Sequence, residues 1–226
     1  MFKQEEQQEN HFWMSYTDLI TGFLIIFIII MFILYTKNSE QQVVSAAYGE
    51  MDKNMTEQFE EIDNVTVSDE ATIRFIAEKG EELFKVNQYE LTDYFKESLD
   101  KVIPIYLKEL NRIYSDSSKK VTIKEVRIEG HTDRDGDYFI NLKLSSNRAR
   151  KVQEYIMRSK KYRDYNYKFR LFMTDNFLSC GYSYAKPLDN DGKRTDIRAN
   201  EDKDKSRRVE FRVLLEYKVK DSKDEN

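Results

Sequence analysis

A single acidic residue lies near the start of the most apolar stretch of the chain. The stretch FWMSYTDLITGFLIIFIIIMFILY occupies residues 12–35, and Asp18 is its only charged residue. An ionised Asp at the centre of a membrane helix costs about 2.5–3.5 kcal/mol. Burial in hydrocarbon favours the protonated form of a carboxyl group, which suits a group that takes up and releases a proton. Asp18 is therefore a candidate proton-transfer residue.

The residues around Asp18 are polar, whereas residues 25–34 are uniformly apolar. The polar neighbours are Ser15, Tyr16, Thr17 and Thr21. A helix whose first third can line a narrow wet path needs a protein partner around that part. We therefore name Asp18, Ser15, Tyr16 and Thr21 as candidate ion-transfer residues. Two simpler interpretations stay open: Asp18 lies shallow enough to reach the interface, or it caps the helix start, where its charge suits the helix dipole.

The apolar stretch has the length of a membrane span. At about 1.5 Å per residue, a helix over residues 12–35 crosses a hydrocarbon core of about 30 Å. Aromatic residues lie at both ends, as in an interfacial belt. The preceding residues 1–11 are acidic and no small-residue cleavage site follows, so we expect a retained helix rather than a signal peptide. Lys3 precedes the span while Lys37 and Lys53 follow it, so charge hardly specifies orientation and leans slightly against a cytoplasmic N-terminus.

The span resembles the single transmembrane helix of MotB-type stator subunits, which carry a W-x-x-S/A-Y-A-D-L/F-M-T pattern. The matching residues are Trp13, Ser15, Tyr16, Asp18, Leu19 and Thr21. Thr17 replaces the usual Ala, and Ile20 replaces the usual Met. The resemblance implies that Asp18 is the ion carrier and that two copies of the chain stand inside a ring of five MotA-like A subunits. It also implies a single-pass protein of the bacterial inner membrane, with a cytoplasmic N-terminus and a periplasmic C-terminal domain.

Residues 36–70 are predicted to form a helical linker. Their apolar residues recur at steps of three and four, as in an amphipathic helix: Val44, Tyr48, Met51, Met55, Phe59 and Ile62. This helix either lies on the next domain or pairs with the same helix of a second copy. The pattern breaks at residues 63–71, which we take as the boundary of a domain spanning residues 71–218, followed by a charged tail at 219–226.

Helix and strand periods alternate in the rest of the chain. Ile73 and Phe75 indicate a short strand, and a long helical face follows from Leu91 to Ile113, with a kink expected at Pro104. Two further strands are predicted by apolar residues in alternation, at 126–130 and 207–217, and a second helix starts near Asn141. Strands separated by helices predict βαβ units in a layered α/β domain.

One segment of this domain resembles the OmpA-like peptidoglycan-binding domain. The segment EGHTDRDGDYFINLKLSSNRARKV, residues 129–152, matches the family's GHTD-x-x-G-x-x-x-x-N-x-x-L-S-x-x-R-A motif at ten positions. Residues 180–188 (CGYSYAKPL) and 206–211 (SRRVEF) resemble two further family segments, although Ser183 stands where Gly is common and Ser206 where Asn is. The resemblance covers about residues 73–217 and implies an OmpA-like βαβαβ fold that binds peptidoglycan.

The family binds the diaminopimelate side chain of the stem peptide, which carries one ammonium and one carboxylate group. By resemblance, Asp133 accepts hydrogen bonds from the ammonium group. Arg148, on the following helix, binds the carboxylate through the N–H donors of its guanidinium group. A plain loop-to-helix ion pair between Asp133 and Arg148 is the alternative that stays open.

Four more residues complete the predicted peptidoglycan site. Asn141 and backbone N–H groups of the 133–136 loop contact the ligand, and Gly136 lets the loop approach it closely. Thr132 belongs to the same motif, and Arg208 is expected to hold a second carboxyl group.

Other features of the sequence argue against enzyme activity, a metal site and nucleic-acid binding. His131 has no nucleophile beside it in the motif, so we expect a structural histidine and no enzyme activity. The single Cys180 lacks partners for a zinc site, and no metal or cofactor is predicted. The net charge of −4, without a basic stripe, gives no case for nucleic acid. Residues 158–178 and 189–206 are longer than the family's links and are expected to be solvated excursions.

The chain combines a membrane span that contains Asp18, a helical linker and an OmpA-like peptidoglycan-binding domain. This combination indicates a stator subunit. The F-W-x-S-Y-x-D-L form of the span looks most like the B subunit of Zorya anti-phage defence systems. A flagellar stator B subunit is one alternative, but such subunits usually carry a basic cytoplasmic tail and this tail is acidic. A passive envelope tether is the other alternative, and it leaves Asp18 unexplained.

Overall fold

The computed structural model describes residues 2–118 and 120–218, except for the side chains of residues 2–12, Ser15 and Arg198. The predicted charged tail at 219–226 lies outside the described residues. The chain divides into two compact units, Met1–Val43 and Val44–Asn226.

The first unit is helical throughout its described residues. Helix α1, Phe2–Phe59, begins in it and ends in the second unit. Large apolar side chains from Leu19 to Tyr35 are 47–73% exposed, and they face every side of the helix. A helix that is apolar all round and uncovered by its own chain is suited to lipid, and this segment is long and apolar enough to cross a membrane.

The second unit is built on one mixed sheet of five strands. The strands are β1 (Val65–Ser68), β2 (Thr72–Ile76), β3 (Val121–Gly130), β4 (Phe177–Gly181) and β5 (Arg208–Tyr217). Their spatial order is β1-β2-β5-β3-β4, with β3 and β4 parallel and all other pairs antiparallel. The parallel pair forms a βαβ unit whose helical connection lies within residues 138–176, but its second strand, β4, is not among the strands predicted from the sequence, which correspond to β2, β3 and β5.

Five helices accompany the sheet. They are α2 (Asp93–Ser115), α3 (Tyr138–Arg158), α4 (Lys160–Arg163), α5 (Tyr167–Asn176) and α6 (Lys203–Ser206), with a 3₁₀ turn at Arg198–Asn200. Helix α2 contains Pro104 and is capped by Thr92, whose hydroxyl accepts a hydrogen bond from the Phe95 amide. Helix α3 begins three residues earlier than predicted because the Asp137 carboxylate caps it.

Alternating apolar residues of the strands form the core with the inner faces of the helices. The rings of Phe75 and Phe211 lie 4.8 Å apart, and Phe95 and Tyr106 each lie 5.4 Å from one of them. Close packing of α3 on the sheet depends on Gly130, where a Cβ atom would lie 2.2 Å from the Ser145 carbonyl oxygen. This close approach places the start of α3 directly over the end of β3.

The last part of α1 lies on the sheet domain. Met51 and Met55 are fully buried, and Phe59 is nearly so. The Tyr48 hydroxyl accepts from the Leu215 amide at 2.8 Å and donates to the Val213 carbonyl at 3.1 Å. Of the two interpretations of the spacer, the structure therefore has the helix docked on the domain over residues 44–59.

Two expectations from the sequence are wrong in detail. Strand β1 falls inside the predicted linker 36–70, so the domain's sheet begins before residue 71, because Val65–Ser68 pairs with β2. The segment 158–178 is not a solvated excursion, because it forms α4 and α5 and buries Tyr162, Phe169 and Met173.

Candidate functional site

A cavity of about 720 Å³ opens beside the ends of β3 and β5. The loop of residues 76–87 forms one wall, and the start of α3 with residues from Asp202 to Arg207 forms the other. Five of the six predicted peptidoglycan residues lie at or next to this cavity. Four of them line it directly: Thr132, Asp133, Asn141 and Arg148.

Backbone hydrogen bonds fix the segment that leaves β3. The His131 amide donates to the Arg208 carbonyl at 3.0 Å, and the Thr132 amide donates to the Ser183 carbonyl at 2.9 Å. These bonds hold Thr132 and Asp133 at the cavity floor. Within the described residues, the Thr132 hydroxyl oxygen is buried and has no hydrogen-bond partner, although the residue lines the cavity.

Asp133 is already paired in the structure, but with a residue that the sequence analysis missed. Its Oδ2 atom accepts from Nη1 of Arg207 at 2.7 Å, and its Oδ1 atom accepts from the Asp135 amide at 3.1 Å. Arg207 also binds Asp204 through its other terminal nitrogen. The Asp133 carboxylate therefore carries a displaceable cationic partner, and the described residues contain no direct Asp133–Arg148 ion pair.

Arg148 is held by backbone carbonyl groups rather than by a carboxylate. Its Nε atom donates to the Gln88 carbonyl at 2.9 Å, and Nη2 donates to the Lys85 carbonyl at 3.4 Å. Its guanidinium lies 4.8 Å above the Phe84 ring centre. Burial lowers the pKa of Arg148 to about 10, so the group stays charged at neutral pH. Among the described residues, no carboxylate forms an ion pair with this buried cation, so its charge is available to an anionic ligand group.

Asn141 and Gly136 shape the loop between β3 and α3. The Asn141 side-chain amide donates to the Asp135 carbonyl at 2.7 Å. Gly136 has φ +88°, a conformation that disfavours any other residue. These two residues hold the loop that carries Asp133 against the first turn of α3.

Arg208 does not reach the cavity, contrary to the expectation from the sequence. Its Nε atom donates to Glu210 at 2.7 Å and its Nη1 atom to the Lys186 carbonyl at 3.0 Å, and the side chain is buried. Arg207 lines the cavity instead. Arg207 is the C-cap residue of α6 and Arg208 is the first residue of β5, so the two neighbouring side chains lie in different backbone environments and only Arg207 lines the cavity. The doubled arginine is the signal that could have identified Arg207.

A buried charge network lies behind the cavity floor. The His131 Nε2 atom is 3.6 Å from Glu129 and 3.8 Å from Glu210, and all three side chains are buried. Lys186 pairs with Glu129 at 3.1 Å, and Arg208 pairs with Glu210. These cations balance both carboxylates, so the cluster fits a structural ion-pair network better than a metal site.

The pKa values in this network are shifted in the directions that burial and pairing require. Burial lowers the pKa of His131 to about 4, so the imidazole is neutral at physiological pH. Burial acts to raise the pKa of Glu210, but the charge of Arg208 and its other partners lower it to about 2. The network therefore keeps Glu210 ionised and His131 neutral, which suits the structural role expected for this histidine.

The predicted ion-transfer residues lie on α1. The Thr21 hydroxyl donates to the Thr17 carbonyl at 2.8 Å, and the Tyr16 ring packs edge-on against Trp13. The side chain of Ser15 lies outside the described residues. Among the described residues, Asp18 has no hydrogen-bond or ion-pair partner, so the structure does not bring these residues together with a counter-charge.

Comparison with known proteins gives the family. The OmpA family model matches residues 83–201. Zorya protein ZorB of Escherichia coli strain Crooks is 32% identical over 235 aligned positions, which cover 93% of this chain and 90% of the relative. The chain belongs to the ZorB family and contains an OmpA family domain. A second Zorya protein ZorB, from Escherichia coli O139:H28, is 29% identical and covers 98% of this chain and 87% of its own length.

Solved structures resemble the chain more distantly. A MotB-like protein from Desulfovibrio vulgaris is 21% identical, with a TM-score of 0.47 over 80% of this chain and 98% of that one. The cell wall anchor of the type VI secretion system from Pseudomonas aeruginosa is 18% identical, with a TM-score of 0.43 over 73% of this chain and 95% of that one. The family comparisons confirm the resemblance to OmpA-like domains and to the Zorya B subunit.

Proposed function

We propose that this protein is the B-type stator subunit of a Zorya anti-phage defence system, which anchors an ion-driven motor to peptidoglycan. Membership of the ZorB family supports the system. The observation that carries the mechanism is the presence, in one chain, of an apolar helix whose acid has no partner among the described residues and a charged cavity in an OmpA family domain.

The motor step assigned to the membrane segment is ion transfer at Asp18. The carboxylate binds an ion on one side of the membrane and releases it on the other, and one charge crossing 100 mV yields about 2.3 kcal/mol. The polar residues Tyr16 and Thr21, with Ser15, line the wet part of the path. Because the described chain supplies no counter-charge, the surrounding protein does so: a ring of five MotA-like A subunits enclosing two copies of this chain.

The anchoring step is assigned to the cavity. The ammonium group of a diaminopimelate side chain replaces Arg207 as the partner of Asp133, and the ligand carboxylate takes the guanidinium of Arg148. Thr132 lies beside the same ligand, because it lines the cavity next to Asp133. Since peptidoglycan is periplasmic, this assignment places the domain in the periplasm and the N-terminus in the cytoplasm.

A phage-protection assay tests both steps together. The chain is expressed with the other genes of its system, and survival on phage challenge is compared between the wild type, Asp18→Asn and Asp133→Ala. We expect both variants to lose protection completely. The matched control is Asp175→Asn, since Asp175 is an exposed acid on α5, and this variant should protect as well as the wild type.

The same assay separates a motor from a tether. If Asp18→Asn still protects while Asp133→Ala does not, wall binding alone suffices and the chain is a passive tether. If Asp133→Ala still protects, the cavity is not the wall anchor.

A further inference from the structure

Three consecutive large apolar residues are exposed at the start of α3. Tyr138, Phe139 and Ile140 are 37%, 72% and 68% exposed, and the ring of Tyr184 packs edge-on against Tyr138 at 5.3 Å. A run of exposed apolar side chains of this size on a soluble surface marks a binding face. We call these four residues the rim shelf.

The rim shelf is next to the cavity in the chain, although none of its four residues is among those that line the cavity. Asn141, the residue after Ile140, lines the cavity. On the other side, the Thr132 amide at the cavity floor donates to the Ser183 carbonyl, and the Ser183 hydroxyl donates to the Tyr138 carbonyl at 2.9 Å. A single buried residue, Ser183, therefore joins the cavity floor to the shelf.

Ser183 is the position at which the sequence departs from the family's usual glycine. Its φ is +52°, in the left-handed region that favours glycine, and its side chain is fully buried. Serine at this position is strained, but its hydroxyl makes a hydrogen bond that glycine lacks. That bond holds the backbone at the start of α3, where the shelf residues lie. Strained residues of this kind concentrate where geometry matters for function.

We infer that the rim shelf is a subsite for the glycan strand of peptidoglycan, and this inference rests on the proposed function of the cavity. The apolar faces of sugar rings lie on Tyr138, Phe139 and Tyr184, while tyrosine hydroxyls bond ring hydroxyls. The shelf residues carry no charge, which fits an uncharged sugar. Covalent continuity supports this occupant: at about 3.3–3.6 Å per residue, a stem of three residues places the sugars about 10 Å from the diaminopimelate group.

A binding comparison with two ligands tests the inference. The full-length chain in detergent is titrated calorimetrically with the free diaminopimelate tripeptide and with the same tripeptide attached to its disaccharide. We expect the disaccharide form to bind about tenfold more tightly to the wild type. Phe139→Ser should reduce this preference to below about twofold and leave tripeptide affinity unchanged.

A matched aromatic residue provides the control. Tyr167 on α5 is 69% exposed, close to the 72% of Phe139, but it does not belong to the shelf. Tyr167→Ser should keep the tenfold preference. If both serine variants lose the preference equally, the effect is not local to the shelf and the inference is wrong.

The outcomes separate the inference from the proposed function. A tripeptide that does not bind at all would overturn both. A tripeptide that binds as tightly as its disaccharide form would overturn the shelf alone. Self-association that Phe139→Ser abolishes, without any preference for the disaccharide form, would assign the shelf to a second copy of the chain instead.

Ser183→Gly tests whether the hydrogen bond from Ser183 to the Tyr138 carbonyl positions the rim shelf. Glycine adopts the same backbone conformation without strain, so the domain should stay folded, with unchanged tripeptide affinity. Without the hydroxyl bond to Tyr138, we expect the preference for the disaccharide form to fall about threefold. An unchanged preference would show that Ser183 does not position the shelf.

Discussion

Two acidic residues, Glu210 and Asp18, lie in the two units of the chain and have opposite surroundings. Glu210 is buried in the sheet domain, where it accepts from Arg208 at 2.7 Å and from Arg74 at 3.0 Å. Asp18 lies in the apolar helix and, among the described residues, has no charged partner. The domain supplies its own counter-charges on folding, whereas the membrane segment leaves its acid for another molecule to satisfy.

Methionine residues show the same contrast. Met55 is fully buried against the sheet domain, whereas Met31 is 50% exposed on the apolar helix. The domain therefore covers its apolar side chains within its own fold at this position, and the apolar helix does not. The proposed stator role requires a segment of this kind, which contacts lipid through its apolar side chains and a protein partner through its acid.

Removing the acid in the domain should give the largest effect on stability. Glu210→Ala leaves Arg208 buried without its carboxylate, and breaking a buried pair in this way costs about 3–5 kcal/mol. Chemical denaturation of the full-length chain in detergent, followed by near-UV circular dichroism of the tyrosine residues, measures the loss. Asp18→Asn should change the free energy of unfolding of the domain by less than about 0.5 kcal/mol. A comparable loss of unfolding free energy in both variants would contradict the difference between the surroundings of Glu210 and Asp18.

Replacing the buried Met55 should give the next largest effect on the stability of the domain. Met55→Ala leaves a cavity under the docked end of α1 and should cost about 3 kcal/mol in the same denaturation experiment. Met31→Ala is the matched control and should leave domain stability unchanged. Equal stability of the two variants would show that α1 is not docked over residues 44–59 in solution.

Acidification should destabilise the domain before Glu210 is protonated. The folded-state pKa of His131 is lowered to about 4, so between pH 6.5 and 4 the unfolded chain binds a proton that the folded chain does not. Stability is therefore lost as pH falls through this window, by about 2 kcal/mol between pH 7 and pH 5. His131→Asn should flatten the dependence there. The further loss expected from Glu210 falls between about pH 4.5 and its folded pKa of about 2.

The sequence predicted those features that a local stretch of residues specifies by itself. The apolar run of residues 12–35 predicts a helix suited to lipid, and the GHTD motif predicts the strand end and helix start that carry Asp133 and Arg148. The first prediction follows from local periodicity, and the second follows from the resemblance to the OmpA-like family.

The sequence did not predict features that depend on which way a side chain points after folding. Arg207 and Arg208 are adjacent and identical, and only the folded junction between α6 and β5 decides that Arg207 lines the cavity while Arg208 is buried. The burial of Phe169 depends on its contact with Tyr114 of α2, at 5.4 Å between ring centres, which no local pattern specifies. The docking of Met55 likewise depends on a surface that is distant in sequence.

Ion flux through the assembled complex tests the central claim most directly. The full-length chain and its A subunit are reconstituted together in vesicles, a voltage is imposed, and proton- and sodium-sensitive dyes report the flux. We predict a voltage-driven flux with the wild type and with Asp175→Asn, and none with Asp18→Asn. A flux that persists in Asp18→Asn would contradict the assignment of Asp18 as the ion carrier.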